Sequence, residues 1–282
     1  MPADTVSGGG ALLTKNMWDD TIESAIYDRQ WFLQRIQKRP RGYNQLSVRK
    51  MGLAPGQTLT TAQDGTTMTL DSMAPTVVTM QPSWFLVSQA YSDAVPWVSA
   101  DEGVIEAAAA DNAENALAAY IETQLLNDVT SGTNFLGNSA YDIDAAGVRA
   151  AVAQLRSTGL TTGDPKNAQI FGLFNSLQHD DVMSVPEFTS AEQRGDGQNP
   201  LVSGIIGKGN AVEFEFTTLG ASDGAGKHNP IWVRSAFGYF YNSPPKGEKQ
   251  RYLKQTRFMA DCHLGHNVVF NQRFVDIRTK TT

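Results

Sequence analysis

Hydrophobic and polar positions follow two different periods along the chain, and together they predict a mixed α+β protein. Between residues 15 and 39, apolar residues recur at intervals of three, four and seven, which places them on one face of a helix. These residues are Trp18, Ile22, Ala25, Phe32 and Ile36. Pro40 ends the helix. The helix finishes before any core-forming sequence begins, so its apolar stripe must pack on a later part of the chain or on another molecule.

The next segment, residues 41–82, is polar and alternates as a β-strand does. Asp64 and Gly65 stand at the centre of QTLTTAQDGTTMTLDS, and this dipeptide favours the two-residue type I′ turn of a hairpin. Such a turn pairs Leu59 with Leu70. A two-stranded ribbon with so few large apolar residues is at best marginally stable alone. The segment is therefore either an ordinary surface hairpin or an extended arm that lies on a neighbouring subunit.

The longest predicted helix runs from Asp101 to Gly132, after the apolar, β-branched stretch PTVVTMQPSWFLVSQAYSDAV. It is rich in alanine, the residue with the highest helix propensity. At 1.5 Å per residue it would span about 45 Å, a length that suits the spine of an elongated body. One face can carry Val104, Ala108, Leu117, Ile121, Leu125 and Val129.

From about residue 142, helical and strand patterns alternate. A helix over residues 142–159 is expected to bury Val148, Val152 and Leu155. The strand AQIFGLF, the helix NSLQHDDVMS and the strand NAVEFEFTTL follow. We expect NSPPKGEK to form a turn, and the end of the chain to form two strands around a turn at Leu264 and Gly265.

Composition narrows the class of protein. The chain has 282 residues, a net charge of −6 and one cysteine, Cys262. It contains neither a signal peptide nor an apolar run of about 20 residues, so we expect a soluble protein made in a cytoplasm. The densest basic run, Arg35 to Lys50, is either a solvated arm or a contact with nucleic acid or an acidic neighbouring subunit.

The motifs that suggest chemistry do not meet its requirements. A phosphate loop needs a serine or threonine after its lysine and then a helix, but Gly209 follows Lys208 and a strand comes next. We therefore expect these glycines to shape a tight turn into a sheet. Cys262, His263 and His266 lie at the predicted turn and supply too few ligands for zinc. No nucleophile elbow occurs. We expect no enzyme activity, no cofactor and no metal.

The order of the segments resembles the major capsid proteins of tailed bacteriophages, which have the Hong Kong 97-type fold. Three stretches carry the resemblance. PSWFLVSQAYSDAV with AENALAAYIETQLLNDVTSG looks like the peripheral-domain strand and spine helix. NPLVSGIIGKGNAVEFEFTTL looks like a segment of the axial domain, and RFMADCHLGHNVVFNQRFVDIRT looks like the terminal strands. Each stretch is loose alone, so the specificity lies in their order and spacing.

The resemblance implies a domain plan for this chain. Residues 1–40 would be an N-terminal arm, and residues 41–82 an extended β-hairpin loop. Residues 83–135 would form the peripheral domain with its spine helix, and residues 136–249 an axial α/β domain. Residues 250–282 would return to the peripheral domain. The expected contacts between subunits are Trp18, Ile22, Phe32, Leu59, Asp64, Gly65 and Leu70.

The implied function is a non-enzymatic shell protein. Hexamers and pentamers of the chain would close into an icosahedral head around phage double-stranded DNA, held without sequence specificity. A scaffolding protein, a portal and a decoration protein would be partners, without a membrane, and assembly would occur in the bacterial cytoplasm. The chain has no long N-terminal scaffolding segment, which suggests a separate scaffolding protein or earlier removal of such a segment, and the initiator Met1 favours the former. Two alternatives are an encapsulin-type compartment and, from another class, a soluble α/β enzyme with an unrecognised site.

Overall fold

A computed structural model describes the larger part of the chain, in nine stretches. These are residues 30–40, 46–50, 76–92, 102–159, 169–185, 207–209, 212–223, 226–252 and 255–280. Six of the seven expected subunit contacts lie outside these stretches, namely Trp18, Ile22, Leu59, Asp64, Gly65 and Leu70. They remain predictions.

Four α-helices lie within the described residues. They are α1 (Trp31–Gln34), α2 (Glu102–Asn127), α3 (Ala145–Gln154) and α4 (His179–Ser184). Helix α2 continues into a 3-10 turn that ends at Ser131, which confirms the predicted spine helix. Its predicted face is buried at Leu117, Ile121, Leu125 and Val129. None of these helices has the length and apolarity that crossing a bilayer requires.

Thirteen strands lie in the same part of the chain. They are β1 (Gln37–Lys38), β2 (Leu46–Lys50), β3 (Thr76–Met80), β4 (Pro82–Ser92), β5 (Phe135–Gly137), β6 (Ile170–Asn175), β7 (Gly207–Gly209), β8 (Val212–Thr217), β9 (Ser222–Asp223), β10 (Gly226–Val233), β11 (Phe237–Tyr252), β12 (Gln255–Val268) and β13 (Phe274–Thr279). They form a four-stranded sheet, a seven-stranded sheet and a pair, so the α+β class is confirmed.

The four-stranded sheet has the order β1-β11-β12-β4 and packs one face on α2. Its long strands β4, β11 and β12 pair antiparallel, whereas β1 joins β11 in parallel. The buried side chains between sheet and helix include Phe85, Leu117, Ile121, Ala260 and Cys262.

The seven-stranded sheet has the order β5-β13-β10-β6-β8-β7, with β9 beside β10. Its central strands are almost wholly buried, because both faces carry apolar layers. Phe171, Leu173, Trp232 and Phe274 belong to the core shared with α2. Ile170, Phe174, Ile231, Val275 and Ile277 belong to a second core that includes Val148, Val152 and Leu155. The predicted burial of those three residues is confirmed.

The end of the predicted first helix is wrong in the described residues. Helix α1 stops at Gln34, and Gln37 and Lys38 form strand β1 beside Gly238 and Tyr239. The β-sheet partner overrides the helical period there. The side chain of Phe32 is fully buried, 4.8 Å between ring centres from Trp232. Phe32 therefore belongs to its own subunit's core, and the expected contact of Phe32 with a neighbour is corrected.

Two predicted turns near the end of the chain are also wrong. Leu264 and Gly265 lie inside the continuous strand β12, in register with β11 and β4. A Cβ atom on Gly265 would overlap the ring of Phe240, so glycine is needed for close approach and not for a turn. The segment NSPPKGEK lies inside β11, where its irregularity produces register shifts between Tyr241 and Lys246.

The two ends of the predicted ribbon pair antiparallel, but three residues away from the register that a turn at Asp64 and Gly65 sets. Strands β2 and β3 form an antiparallel ladder in which Leu46 faces Met80 and Lys50 faces Thr76. Met80 is fully buried in a small cluster with Phe240 and Val269. The ribbon therefore starts from a packed base on the four-stranded sheet.

Candidate functional site

The four-stranded sheet has one face that the described residues leave open. Along β4 the burial alternates, with Phe85 directed towards α2 and its neighbours directed away. Trp84 is 65% exposed and Leu86 is 60% exposed. Large apolar side chains that stand exposed together on one region of a surface are typical of a protein–protein contact.

The exposed tryptophan is held in a fixed position. Trp84 and His263 are direct neighbours across β4 and β12, and their rings stack with centres 4.9 Å apart and planes 10° apart. The His263 ring nitrogen Nδ1 lies 2.9 Å from the side-chain nitrogen of Asn242 on β11. Because three strands contribute, the tryptophan is presented on a rigid platform. We call Trp84, Leu86 and His263 the open-face patch.

The segment Gln30–Arg39 connects the two large sheets. Arg35 donates from Nε and Nη2 to one oxygen of Glu213 at 3.1 and 2.7 Å, and its guanidinium lies 4.1 Å from the Trp31 ring centre. The indole N–H of Trp232 donates to the Arg35 carbonyl. Four residues later, Arg39 donates its backbone N–H to Tyr239. Arg35, the first arginine of the basic run, therefore makes its contacts within its own chain.

An acid-lined cavity of about 430 Å³ lies beside α1, α2 and β8. Its lining includes Trp31, Glu122, Leu173, Glu215 and Phe216. The Glu122 side chain is only 6% exposed, and its carboxylate accepts the Phe32 N–H at 3.4 Å. Burial raises the pKa of Glu122 to about 7, against the lowering effect of that hydrogen bond.

A buried histidine sits between two carboxylates in the seven-stranded sheet. The His228 Nδ1 lies 2.7 Å from Asp276, and its Nε2 lies 3.2 Å from Asp223 as an ion pair. Arg278 and the backbone N–H of Asn229 also donate to Asp276. Burial lowers the pKa of His228. The hydrogen bond to Asp276 and the charges of Asp276 and Asp223 outweigh this effect, so the pKa is raised overall.

The other chemical motifs are structural in the described residues. Cys262 is buried towards α2, and burial raises the pKa of its thiol to about 12. His263 points to the opposite face, so the two cannot share a metal. No described cluster of three metal-binding side chains exists. Residues Gly207–Gly209 form β7, which pairs antiparallel with β8. A strand follows instead of a helix, as expected, but Gly207 and Gly209 lie within the sheet and not in the predicted turn; Gly204 lies outside the described residues.

Sequence reasoning missed the open-face patch. The signal was present, because Trp84, Phe85, Leu86 and Val87 form a run that is apolar on both faces of a strand. Such a run indicates that both faces become covered, yet the part of the chain that the structure describes covers only one. Glu213 is a second residue without a sequence signal: β8 lies between β6 and β7, and its Glu213 carboxylate binds Arg35 and Gln169.

Comparison with solved structures places this architecture among viral shells. A chain of Mycobacterium phage Che8 superimposes with a TM-score of 0.66 at 18% identity, over 88% of this chain and 91% of that one. The head structure of Helicobacter pylori bacteriophage KHP40 gives a TM-score of 0.67 at 12% identity, over 88% of both chains. The virus-like particle from Pyrococcus furiosus gives 0.61 at 8% identity, over 94% and 99%.

The likeness is one of three-dimensional structure alone. No protein-family model matches the sequence, and no curated protein matches it significantly. Identities of 8–18% with alignment over nearly the whole of both chains show a shared fold. The chain thus has the Hong Kong 97-type fold of phage capsid proteins that its sequence resembles.

Proposed function

We propose that this chain is a major capsid protein whose copies assemble into the icosahedral head shell of a tailed bacteriophage. The observation that carries the proposal is the fold shared with phage capsid and head structures over nearly the full length of both chains. Its role is to make contacts with copies of itself, so we assign no catalytic residue. Closed shells arise when one chain repeats its interfaces under symmetry.

We propose that three regions make these contacts. The ribbon within residues 41–82 leaves from the packed base at Met80 and would lie on a neighbouring subunit, with Leu59, Asp64, Gly65 and Leu70 in the contact. Trp18 and Ile22 of the N-terminal arm would contact another neighbour. The open-face patch would be covered by assembly, because Trp84 and Leu86 are exposed in the single chain.

The further partners follow from the same role. Hexamers and pentamers of the chain would form the shell, with a scaffolding protein and a portal during assembly in the bacterial cytoplasm and a decoration protein on the outside. Packaged DNA would face the interior without sequence-specific contacts. A net charge of −6 fits a container that releases its DNA, since tight phosphate binding requires clustered Lys and Arg.

The direct test is size-exclusion chromatography and negative-stain microscopy of the expressed protein, with and without the products of neighbouring genes. We expect megadalton particles with icosahedral outlines. A compact monomer or small oligomer under all these conditions would contradict the shell and would favour the soluble α/β enzyme.

A variant of the ribbon sharpens the test. Replacing Asp64 and Gly65 with valine blocks the positive φ angles of a type I′ turn. We expect particle yield to fall much more than the free energy of unfolding of the subunit. Particles from this double variant at the wild-type yield would contradict the ribbon assignment.

The encapsulin-type alternative keeps the fold and changes the contents. The virus-like particle from Pyrococcus furiosus is the observation that keeps this alternative in view. It is less favoured because its TM-score is 0.61, against 0.66–0.67 for two phage structures. The neighbouring genes discriminate, since a phage coat gene lies beside portal, terminase and scaffold genes.

A further inference from the structure

The cavity beside Glu122 places a charge where the protein supplies little to balance it. The Glu122 side chain is 94% buried, and among the described residues its one polar contact is the Phe32 N–H at 3.4 Å. An ionised carboxylate held in this way is costly unless a cation approaches it. The cavity of about 430 Å³ in front of it gives a cation room to enter.

The other walls suit the same kind of ligand. Glu215 adds a second carboxylate, Trp31 and Phe216 add aromatic rings, and Thr217 and Thr218 add hydroxyl groups. Carboxylates bind ammonium and guanidinium groups strongly, and aromatic rings pack against their apolar stems. We propose that this cavity binds an organic cation, whose ammonium or guanidinium group pairs with Glu122 while its alkyl stem lies against Trp31 and Phe216.

The nearest cationic side chain in the described residues, Arg35, is already paired. Arg35 stacks on the Trp31 ring, but its guanidinium is held by Glu213 at 2.7 Å. Glu213 in turn accepts from Gln169 with its second oxygen, so both partners of this ion pair are fixed. Among the described elements packed around Glu122, the charged groups that face it are therefore Glu215 on β8 and the Arg35–Glu213 ion pair, whose net charge is zero.

The size of the cavity limits the ligand. Small-molecule sites begin at about 300 Å³, so 430 Å³ admits a lysine or arginine side chain or a short free amine. Two sources share this chemistry: a free amine from solution, and a basic side chain of a second copy of the chain. The second source rests on the proposed shell function; the first does not.

The first experiment uses n-butylammonium as the free probe. The thermal unfolding midpoint is measured with butylammonium chloride and with sodium chloride at equal ionic strength, at pH 8 and pH 6. We expect butylammonium to raise the midpoint at pH 8 and to bind about tenfold more weakly at pH 6, since Glu122 must ionise to pair with it. The rise should vanish in Glu122→Gln and persist in Asp180→Asn, a control at a fully exposed carboxylate.

The second experiment separates the two sources by particle yield. If a second copy supplies the cation, assembled wild-type particles will not respond to butylammonium. Glu122→Gln will then lower their yield by about tenfold, the value of one charge-assisted contact, and Asp180→Asn will not. If the source is a free amine, the yield of Glu122→Gln will equal that of wild type and butylammonium will still bind.

The proposal is overturned if butylammonium acts no differently from sodium on wild type while Glu122→Gln assembles normally. It is also overturned if wild type and Glu122→Gln respond equally to butylammonium. A wild-type protein that forms no particles would refute the shell function by itself, and the butylammonium measurement would then decide the cavity proposal alone.

Discussion

The two large sheets of this protein differ in how completely their own chain covers them. The seven-stranded sheet is sandwiched between two apolar cores, and Trp232 at its centre is fully buried. The four-stranded sheet packs one face on α2 and leaves Trp84 65% exposed on the other. Both sheets carry a large aromatic residue, yet only Trp232 is fully covered by the residues that the structure describes.

This difference separates folding from assembly. Burial of apolar surface contributes roughly 25 cal/mol per Å², so a covered tryptophan stabilises the subunit itself. An exposed tryptophan contributes nothing of that kind until another molecule covers it. The same side chain should therefore affect the free energy of unfolding in one sheet and the yield of particles in the other.

The largest effect on folding is expected in the seven-stranded sheet. Trp232→Ala removes a fully buried indole that packs on Phe32 and Phe171. It should lower the free energy of unfolding by about 3–5 kcal/mol. Denaturant titration of the soluble fraction measures this, and Phe135→Ala, a half-exposed aromatic residue at the edge strand, is the control. A loss equal to that of the control would contradict the two-core description.

A smaller effect is expected inside the four-stranded sheet. In Gly265→Ala, the new methyl group meets the ring of Phe240, which is itself fully buried. The overlap should cost about 1–3 kcal/mol. The double variant with Phe240→Leu should recover part of this loss, because the smaller side chain frees the space. If Gly265→Ala alone is neutral, the close approach is not what requires glycine there.

The free energy of unfolding is also expected to depend on pH through His228 in the seven-stranded sheet. The pKa of His228 is raised in the folded chain, so the folded state holds this proton more tightly than the unfolded state. The stabilisation is complete below the unfolded pKa of about 6.5. It is lost as the pH rises through the higher folded pKa. Comparing His228→Gln with wild type from pH 5 to pH 9 isolates this contribution, with His179→Gln as the control. Parallel curves for all three proteins would refute it.

The smallest change in folding is expected at the exposed tryptophan. Trp84→Ala should alter the free energy of unfolding by no more than about 0.5 kcal/mol, as surface substitutions usually do. Its particle yield should nevertheless fall, because the open-face patch loses its largest side chain. Measuring both quantities on one preparation tests the contrast with Trp232, and a stable variant that assembles normally would remove the patch from the interface.

Local patterns predicted the elements of this fold better than its long-range packing. The alanine-rich composition and the spacing of Leu117, Ile121 and Leu125 were enough to predict the spine helix and its buried face. The turn at Gly265 was predicted wrongly. Glycine is needed there because of Phe240, which lies 25 residues away along the chain and is adjacent only across β11 and β12. Local propensity carries no information about such a neighbour.

The candidate site was harder to predict than the fold. Trp84 and Leu86 alternate with Phe85 and Val87, so the sequence alone cannot tell which face α2 covers. Glu122 likewise stands in an ordinary helical stretch. Its burial results from the approach of α1, which lies 90 residues earlier. Phe32 was assigned to an interface because its helix preceded the core, although that core includes Trp232, far later in the chain.

The short segment Gln30–Arg39 has a mechanical consequence. It adds β1 to the edge of the four-stranded sheet, and through Arg35 it is tied to Glu213 in the seven-stranded sheet. Tension applied to the chain ahead of Gln30 would reach both sheets together. A force that a neighbouring molecule exerts on that end would therefore change how the two sheets of the subunit are held together.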